Sequence, residues 1–364
     1  MKYRKHIYCE IEFIKLCIEK LDAPNASCSP EVLLLLNTIK NIVSGTCTKL
    51  YMNISREEVD KFSKDIYKRK LNAAKKGKQA ELSSFEQFMY NLLWKQQNGE
   101  TQIRYFDKID FDCPDEIDLN AYYFTCKGSE QCRKAMSCYG VLVLNTENIN
   151  DFGFVLKDNG GAVSKSPGNT WKTLLEPIKK TPYNSLVIID NYILNNTEEM
   201  VENLEGIFDA LLPSNISVPF QITIFSKLGT EQNNNSCLPS EPRMKKIKEM
   251  LSKYDSYEIE LCIIKCQGFH DRVLLTNSML IGCPGGFNLF KDGVSQKTTY
   301  FNATNPFLAD VNIKWTTEAY SNYIADAAPV FQDVQENGSN GITDSFPKFY
   351  LGEKKNRIIE GYIG

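Results

Sequence analysis

The sequence predicts two α/β domains, and three observations carry that prediction. Apolar runs of strand length, such as Leu186–Ile189, alternate with longer amphipathic stretches. Ser55-Arg56-Glu57-Glu58 and Ser83-Ser84-Phe85-Glu86 both carry the Ser-x-x-Glu signal that opens a helix. The chain has 364 residues, 42% hydrophobic and 24% charged, which suits globular domains and not a disordered or fibrous chain. The expected division is an N-terminal α/β domain over 1–156 and a connecting segment over 157–183. A second α/β domain follows over 184–297, with a C-terminal extension over 298–364 packed on the domains.

The first half reads as follows. Val32–Ile42 is a buried helix entered through Ser29-Pro30, and Lys49–Ile54 alternates as a strand does. Ser55 opens a long polar helix that runs to about Lys76. Ser83 opens the next, with Phe85, Phe88, Met89 and Leu92 as its apolar stripe. Ile103–Phe106 is a short strand. Asn120–Thr125 (strand), Ser129–Tyr139 (helix) and Val141–Leu144 (strand) form a parallel crossover. Tyr123-Phe124-Thr125, a helix, then Tyr139-Gly140-Val141-Leu142-Val143-Leu144 resembles the closing section of PIN-like nuclease domains. That family has an acid after the Thr-bearing strand. Cys126 stands there in this chain, so the resemblance implies a degenerate member without metal-dependent cleavage.

The breakers Gly160-Gly161, Ser166-Pro167-Gly168, Pro177 and Pro182 mark the connecting segment, pinned by Trp171 and Leu174-Leu175. Beyond it, Leu186–Ile189 is an unbroken apolar run ending at Asp190, as a strand buried on both faces would be. Glu198–Leu212 is a helix stopped by Pro213, and Phe220–Phe225 a strand. Lys227–Glu241 is a polar surface loop. Pro242 sits where a first helical residue belongs, and that helix runs to Tyr254. Tyr257–Lys265, Val273–Leu275 and Met279–Ile281 are strands. The whole is a mostly parallel sheet sandwiched by helices. From Thr298 the chain is rich in Asn, Thr and aromatics, with a flexible turn at Asn337–Gly341.

The net charge is −3, so attraction to nucleic acid or acidic lipid has to come from a local patch. The longest apolar run, Val32–Leu36, is far short of a membrane span, and Glu10 and Glu12 interrupt any signal core. Neither integral membrane association nor export is expected, and the address is cytoplasmic. The chain has 12 cysteines but no Cys-x-x-Cys pair, so they read as reduced thiols used as small hydrophobes. Cys262, Cys266 and His270 are spaced by four. On an alternating strand that is about 13 Å per step, too far for one tetrahedral ion. No metal and no cofactor are expected.

Chemistry centres on one of the two histidines in the chain. Gly268-Phe269-His270-Asp271-Arg272 is followed by Asn277, then by Gly285-Gly286-Phe287-Asn288. An imidazole, a guanidinium two positions on, a distant amide and a glycine turn are the parts of an oxyanion pocket. His270-x-Arg272-x4-Asn277 with Gly285-Gly286-x-Asn288 resembles the signature of the phospholipase D superfamily. Phe269-His270-Asp271-Arg272 is closer to its degenerate HDR branch. That branch includes the C-terminal domain of eukaryotic MIT-domain cytokinesis proteins and bacterial proteins, some linked to antiphage defence. The match covers about 184–293.

The resemblance implies a phospholipase D-like fold and recognition of a phosphate or phosphodiester. In active members a histidine attacks phosphorus while a lysine neutralises the non-bridging oxygens. Carried over, His270 would be nucleophile, Arg272 the phosphate clamp and Asn277 their polar support. Asp190, Gly285, Gly286 and Asn288 would line the ligand. Arg272 replaces the family lysine and Asn277 the acid, and the turn comes one residue late. Active members also use two histidines. The implied role is therefore a binding or scaffold module with degenerate or no catalysis. The alternative is a metal-independent nuclease in which a homodimer brings two His270 side chains together. Expected partners are nucleic acid or another anionic phosphate ligand, a protein, and a second copy.

A second feature is a basic stripe. Lys61, Lys64, Lys68, Lys75 and Lys78 recur near helical spacing, and Lys68 and Lys75 are its candidate ligand contacts. Salt bridges to Glu57, Glu58 and Asp65 would leave it a solvated face. Tyr67 is its lone interleaved aromatic, so no base-stacking platform is expected from the stripe.

Overall fold

The computed structural model describes residues 5–24, 28–43, 48–99, 102–149, 151–152, 160–164, 168–194, 197–226, 241–265, 269–307, 313–337, 348–351 and 353–363. They fall into two compact units, Arg4–Ala135 with Leu142–Leu156, and Met136–Val141 with Lys157–Gly364.

In the first unit, β1 (Lys5–Cys9), β2 (Thr48–Met52), β3 (Gln102–Tyr105), β4 (Ala121–Phe124) and β5 (Leu142–Leu144) form one sheet. Its order is β3-β2-β1-β4-β5, and all pairings are parallel. Its helices are α1 (Ile11–Asp22), α2 (Pro30–Val43), α3 (Arg56–Lys75), α4 (Ser84–Gln97) and, as far as Ala135, α5 (Ser129–Tyr139). Parallel strands require such crossovers. Both expected capping boxes form: Ser55 with Glu58 at α3 and Ser83 with Glu86 at α4. The sequence reading misses β1 and α1, because basic residues open the strand and Glu10 gives α1 no side-chain cap.

Register places Tyr8 between Tyr51 and Tyr123, stacked at 4.4 and 5.0 Å. Lys5 on β1 is buried, its Nζ 3.3 Å from Asn120 Oδ1 and 4.4 Å from the Tyr122 ring centre. Burial lowers its pKa to about 7, although the Asp118 carboxylate opposes this.

The second unit carries an eight-stranded sheet in the order β15-β9-β8-β7-β10-β11-β14-β6. Its elements are β6 (Gly161–Val163), α6 (Trp171–Lys179), β7 (Ser185–Ile189), α7 (Thr197–Leu211), β8 (Phe220–Ser226), α8 (Glu241–Leu251), β9 (Ile259–Lys265), β10 (Val273–Thr276) and β11 (Leu280–Gly282). A small hairpin of β12 (Phe290–Lys291) and β13 (Val294–Ser295) follows. Then come β14 (Thr299–Thr304), α9 (Ile313–Asn337), β15 (Lys348–Leu351) and α10 (Arg357–Ile363).

Leu186, Ile188, Ile222, Ile224, Leu261 and Ile263 share one core with Leu175, Leu204, Phe208 and Ile247 from α6, α7 and α8. Residues of opposite parity face the other side. There Asn356, beside α10, donates to Thr223 Oγ1 at 3.0 Å. Helices thus cover both faces, which is why β7 and β8 are buried throughout.

The expectation of a mostly parallel sheet is corrected. The β7–β8 and β8–β9 pairings are parallel, but the other five are antiparallel. Only residues 277–279 separate β10 from β11, and so short a link forces an antiparallel hairpin. Residues 157–183 contain β6 and α6, and 298–364 supply β14 and β15 to the sheet. The expected loop at 227–240 and turn at 338–341 lie outside the described residues, as does Cys266.

Among the described residues no helix is long and apolar enough to cross a membrane. Their cysteines are free, and Cys9, Cys17, Cys132, Cys262 and Cys283 are buried.

Candidate functional site

Strand register assembles the rim. β10 pairs antiparallel with β7 so that Val273 faces Ile189, and β11 pairs with β10 so that Gly282 faces Val273. Asp190, Arg272 and Cys283 each lie one residue beyond those partners and emerge together at one end of the sheet. The Cys283 amide donates to the Arg272 carbonyl at 3.1 Å. Cys283-Pro284-Gly285-Gly286 then turns, with the Gly286 amide donating to the Cys283 carbonyl at 2.8 Å. Proline at the second position and glycine at the fourth suit such a turn.

Asp190 ties these loops down. Its Oδ1 accepts the Tyr192 amide at 2.8 Å and its Oδ2 the Phe287 amide at 2.6 Å. Arg272 Nε lies 3.9 Å from Oδ1. Burial raises the Asp190 pKa against the opposing pull of the two amides and of Arg272 and Lys297.

Arg272 is anchored without being covered. Nη1 donates to the Pro284 carbonyl, the guanidinium carbon lies 5.3 Å from the Tyr192 ring centre, and the side chain stays 29% exposed. Among the described residues its Nη2 makes no hydrogen bond. Gly286 has φ +84°, and a Cβ there would come within 3.1 Å of both Arg272 Cδ and Asp190 Oδ2. Glycine is needed for the conformation and for the close approach.

His270 is exposed on the loop leading into β10, and among the described residues its ring makes no hydrogen bond. Its neighbours fix the loop. The Phe269 ring packs on Phe225 at 5.5 Å, its carbonyl accepts Asn191 Nδ2 at 2.6 Å, and Asp271 accepts the Tyr323 hydroxyl at 2.9 Å. Asn288 Nδ2 donates to the Tyr192 carbonyl at 2.7 Å, while its Oδ1 is buried without a partner among the described residues. Lys297 Nζ donates to the Gly285 carbonyl at 3.0 Å, and the Gly285 amide to Thr299 Oγ1 at 2.9 Å.

His270, Arg272, Asp190, Gly285, Gly286 and Asn288 therefore gather at one rim. Asn277 does not. It lies past the other end of β10, about 16 Å along the strand from Arg272. There its Oδ1 accepts the Asn184 and Ser185 amides at 3.0 Å each and fixes the start of β7. Its expected place beside His270 is corrected, because an extended β10 separates the two ends. Lys68 and Lys75 are exposed on α3, in the first unit. Sequence reasoning misses Lys297 and Thr299, which only the antiparallel return through β14 brings to the turn.

In the first unit, Glu10 Oε2 accepts the Thr125 hydroxyl at 2.8 Å and the Cys126 amide at 2.6 Å, joining the ends of β1 and β4. Burial, then Glu10 and Glu12, push the Cys126 thiol up to about 11, away from thiolate chemistry at neutral pH. The other histidine, His6, lies in this unit with Nδ1 2.6 Å from Asp118 Oδ2. Among the described residues no three His, Cys, Asp or Glu side chains gather as a metal site.

No protein-family model matches the chain, and comparison with curated proteins finds no relative.

Proposed function

We propose that the chain recognises a phosphate or phosphodiester at this rim and acts there as a binding module without turnover. The observation that carries the reading is the state of Arg272. It is held by Asp190, Pro284 and Tyr192, yet keeps one nitrogen and part of its surface for a ligand. A pre-set guanidinium loses little freedom on meeting an oxyanion. Exposed His270 and Lys297 add donors nearby. The phospholipase D-like pattern is then retained as a pocket.

The lack of a second imidazole weighs against hydrolysis by one copy, since His6 is engaged with Asp118 in the first unit. Asn277 in its strand-end role also leaves His270 without the expected support. The homodimeric nuclease stays as the second reading on one observation: the exposed, unengaged ring of His270 is open to a facing copy.

Titration of the full chain with inorganic phosphate and with a labelled oligonucleotide tests the first reading. Arg272→Ala should weaken phosphate binding roughly tenfold, the scale of a charge-assisted hydrogen bond. Undiminished binding of inorganic phosphate overturns it. Cleavage of the oligonucleotide in EDTA, lost in His270→Ala, would instead establish the second.

A further inference from the structure

We propose that the outer face of the α3–α4 hairpin binds single-stranded nucleic acid, with lysines on the backbone and bases stacked on Tyr67 and Trp94. This concerns the first unit alone and does not depend on Arg272.

On α3 the basic stripe is accompanied by half-buried Phe62 and by exposed Tyr67. The fold adds α4. The two helices run antiparallel, with Arg69 paired to Glu86 and Lys70 Nζ 3.4 Å from the Tyr90 ring centre. Phe62, Tyr67, Tyr90 and Trp94 line a cleft of about 380 Å³ between them. Trp94 also borders a second cleft of about 680 Å³ with Leu82 and Phe88. Tyr67 is 66% exposed, Trp94 55% and Leu71 43%. Such rings grouped on one surface mark a place of contact.

The charge around them is unbalanced. Residues 66–80 hold Lys68, Arg69, Lys70, Lys75, Lys76 and Lys78 and no acid. Of the acids expected to neutralise the stripe, Glu57 forms no ion pair among the described residues and the other two are otherwise engaged. Asp65 and Glu86 pair with Arg69, and Glu58 closes the capping box with Ser55. Among the described residues Lys64, Lys68, Lys75, Lys76 and Lys78 form no ion pair.

Free lysines beside exposed aromatic rings suit a polyanion that also carries planar groups. Single-stranded nucleic acid offers both, because its bases are unpaired and every base has a face to stack. A duplex hides those faces. An acidic peptide supplies charge without rings at each step, and a lipid surface calls for a broader apolar stripe than Tyr67, Leu71 and Trp94 provide.

Fluorescence anisotropy of the full chain with labelled oligothymidylate tests this. The same strand in a duplex, heparin, and vesicles containing phosphatidylserine are compared with it. The single strand should bind more tightly than duplex or heparin. Trp94→Ala and Tyr67→Ala should each weaken it roughly tenfold with little change in salt dependence. Trp94→Phe should retain most of the affinity. Lys68→Ala and Lys75→Ala should each lower the slope of log affinity against log salt by about 0.7. Arg272→Ala should leave the strand bound. Tyr67, Lys68, Lys75 and Trp94 are exposed, and circular dichroism checks that the variants fold. Absent binding, equal binding of duplex or heparin, preference for vesicles, or an unaffected Trp94→Ala would each overturn the proposal.

Discussion

Asp190 Oδ2 accepts the Phe287 amide at 2.6 Å, so a carboxylate at the end of β7 holds the turn that follows β11. The same side chain holds Tyr192, whose ring lies under Arg272. A single buried acid thus sets the position of the cation expected to meet the ligand.

That acid should be visible in the pH dependence of stability. Burial raises its folded pKa above the ordinary aspartate value of about 3.9. Between those two values the folded chain holds the proton that the unfolded chain has lost, so its contribution to stability falls as pH rises. Asp190→Asn keeps the shape and removes the titration. Denaturant midpoints measured from about pH 3 upward should show the gap between wild type and variant changing above about pH 4 and then levelling. A constant gap would mean the carboxyl is not raised.

Gly286→Ala should destabilise the chain by about 1–2 kcal/mol from the left-handed backbone alone. It should also weaken phosphate binding, since the added carbon would press on Arg272 Cδ and Asp190 Oδ2. Gly161→Ala is the control, because a Cβ there meets nothing within 4 Å. Thermal unfolding and phosphate titration of both variants check this. Equal behaviour would show that the turn adapts freely.

Lys5 gives the opposite slope in the first unit. Its folded pKa is lowered to about 7, against about 10.4 for a free lysine. Between those values the unfolded chain binds a proton that the folded one does not, so stability rises with pH and then levels. Lys5→Met should remove that rise and be more stable than wild type at pH 6. Urea denaturation across this range measures it. A wild-type profile shared by the variant would place the titration on another group.

Much of this was legible in the sequence. The Ser-x-x-Glu signals located α3 and α4, and the apolar run before Asp190 located β7 and the rim. Rim partners adjacent in register, such as Arg272 and the glycine turn, could be read from their spacing. What escaped depends on contacts between distant segments. Asn203, inside α7, accepts Trp171 Nε1 and the Leu289 and Phe290 amides at 3.0 Å each, and no local pattern announces such a hub. Asn277 was misplaced because motif spacing does not say which end of a strand a residue occupies. The helix at Trp171 was hidden by Pro177, which reads as a breaker yet lies within it.

The sheet of the second unit is completed by segments far from its motif: β15 closes one flank against β9, and β14 closes the other against β11. A solitary fragment cut at 184 and 297 would keep Asp190, His270, Arg272 and the glycine turn but lose Thr299, which holds the Gly285 amide, and both closures. Two bare strands would then offer unmet amides and carbonyls to any neighbour, the situation that drives self-association. The pattern that resembles a self-contained domain therefore occupies only part of one larger sheet.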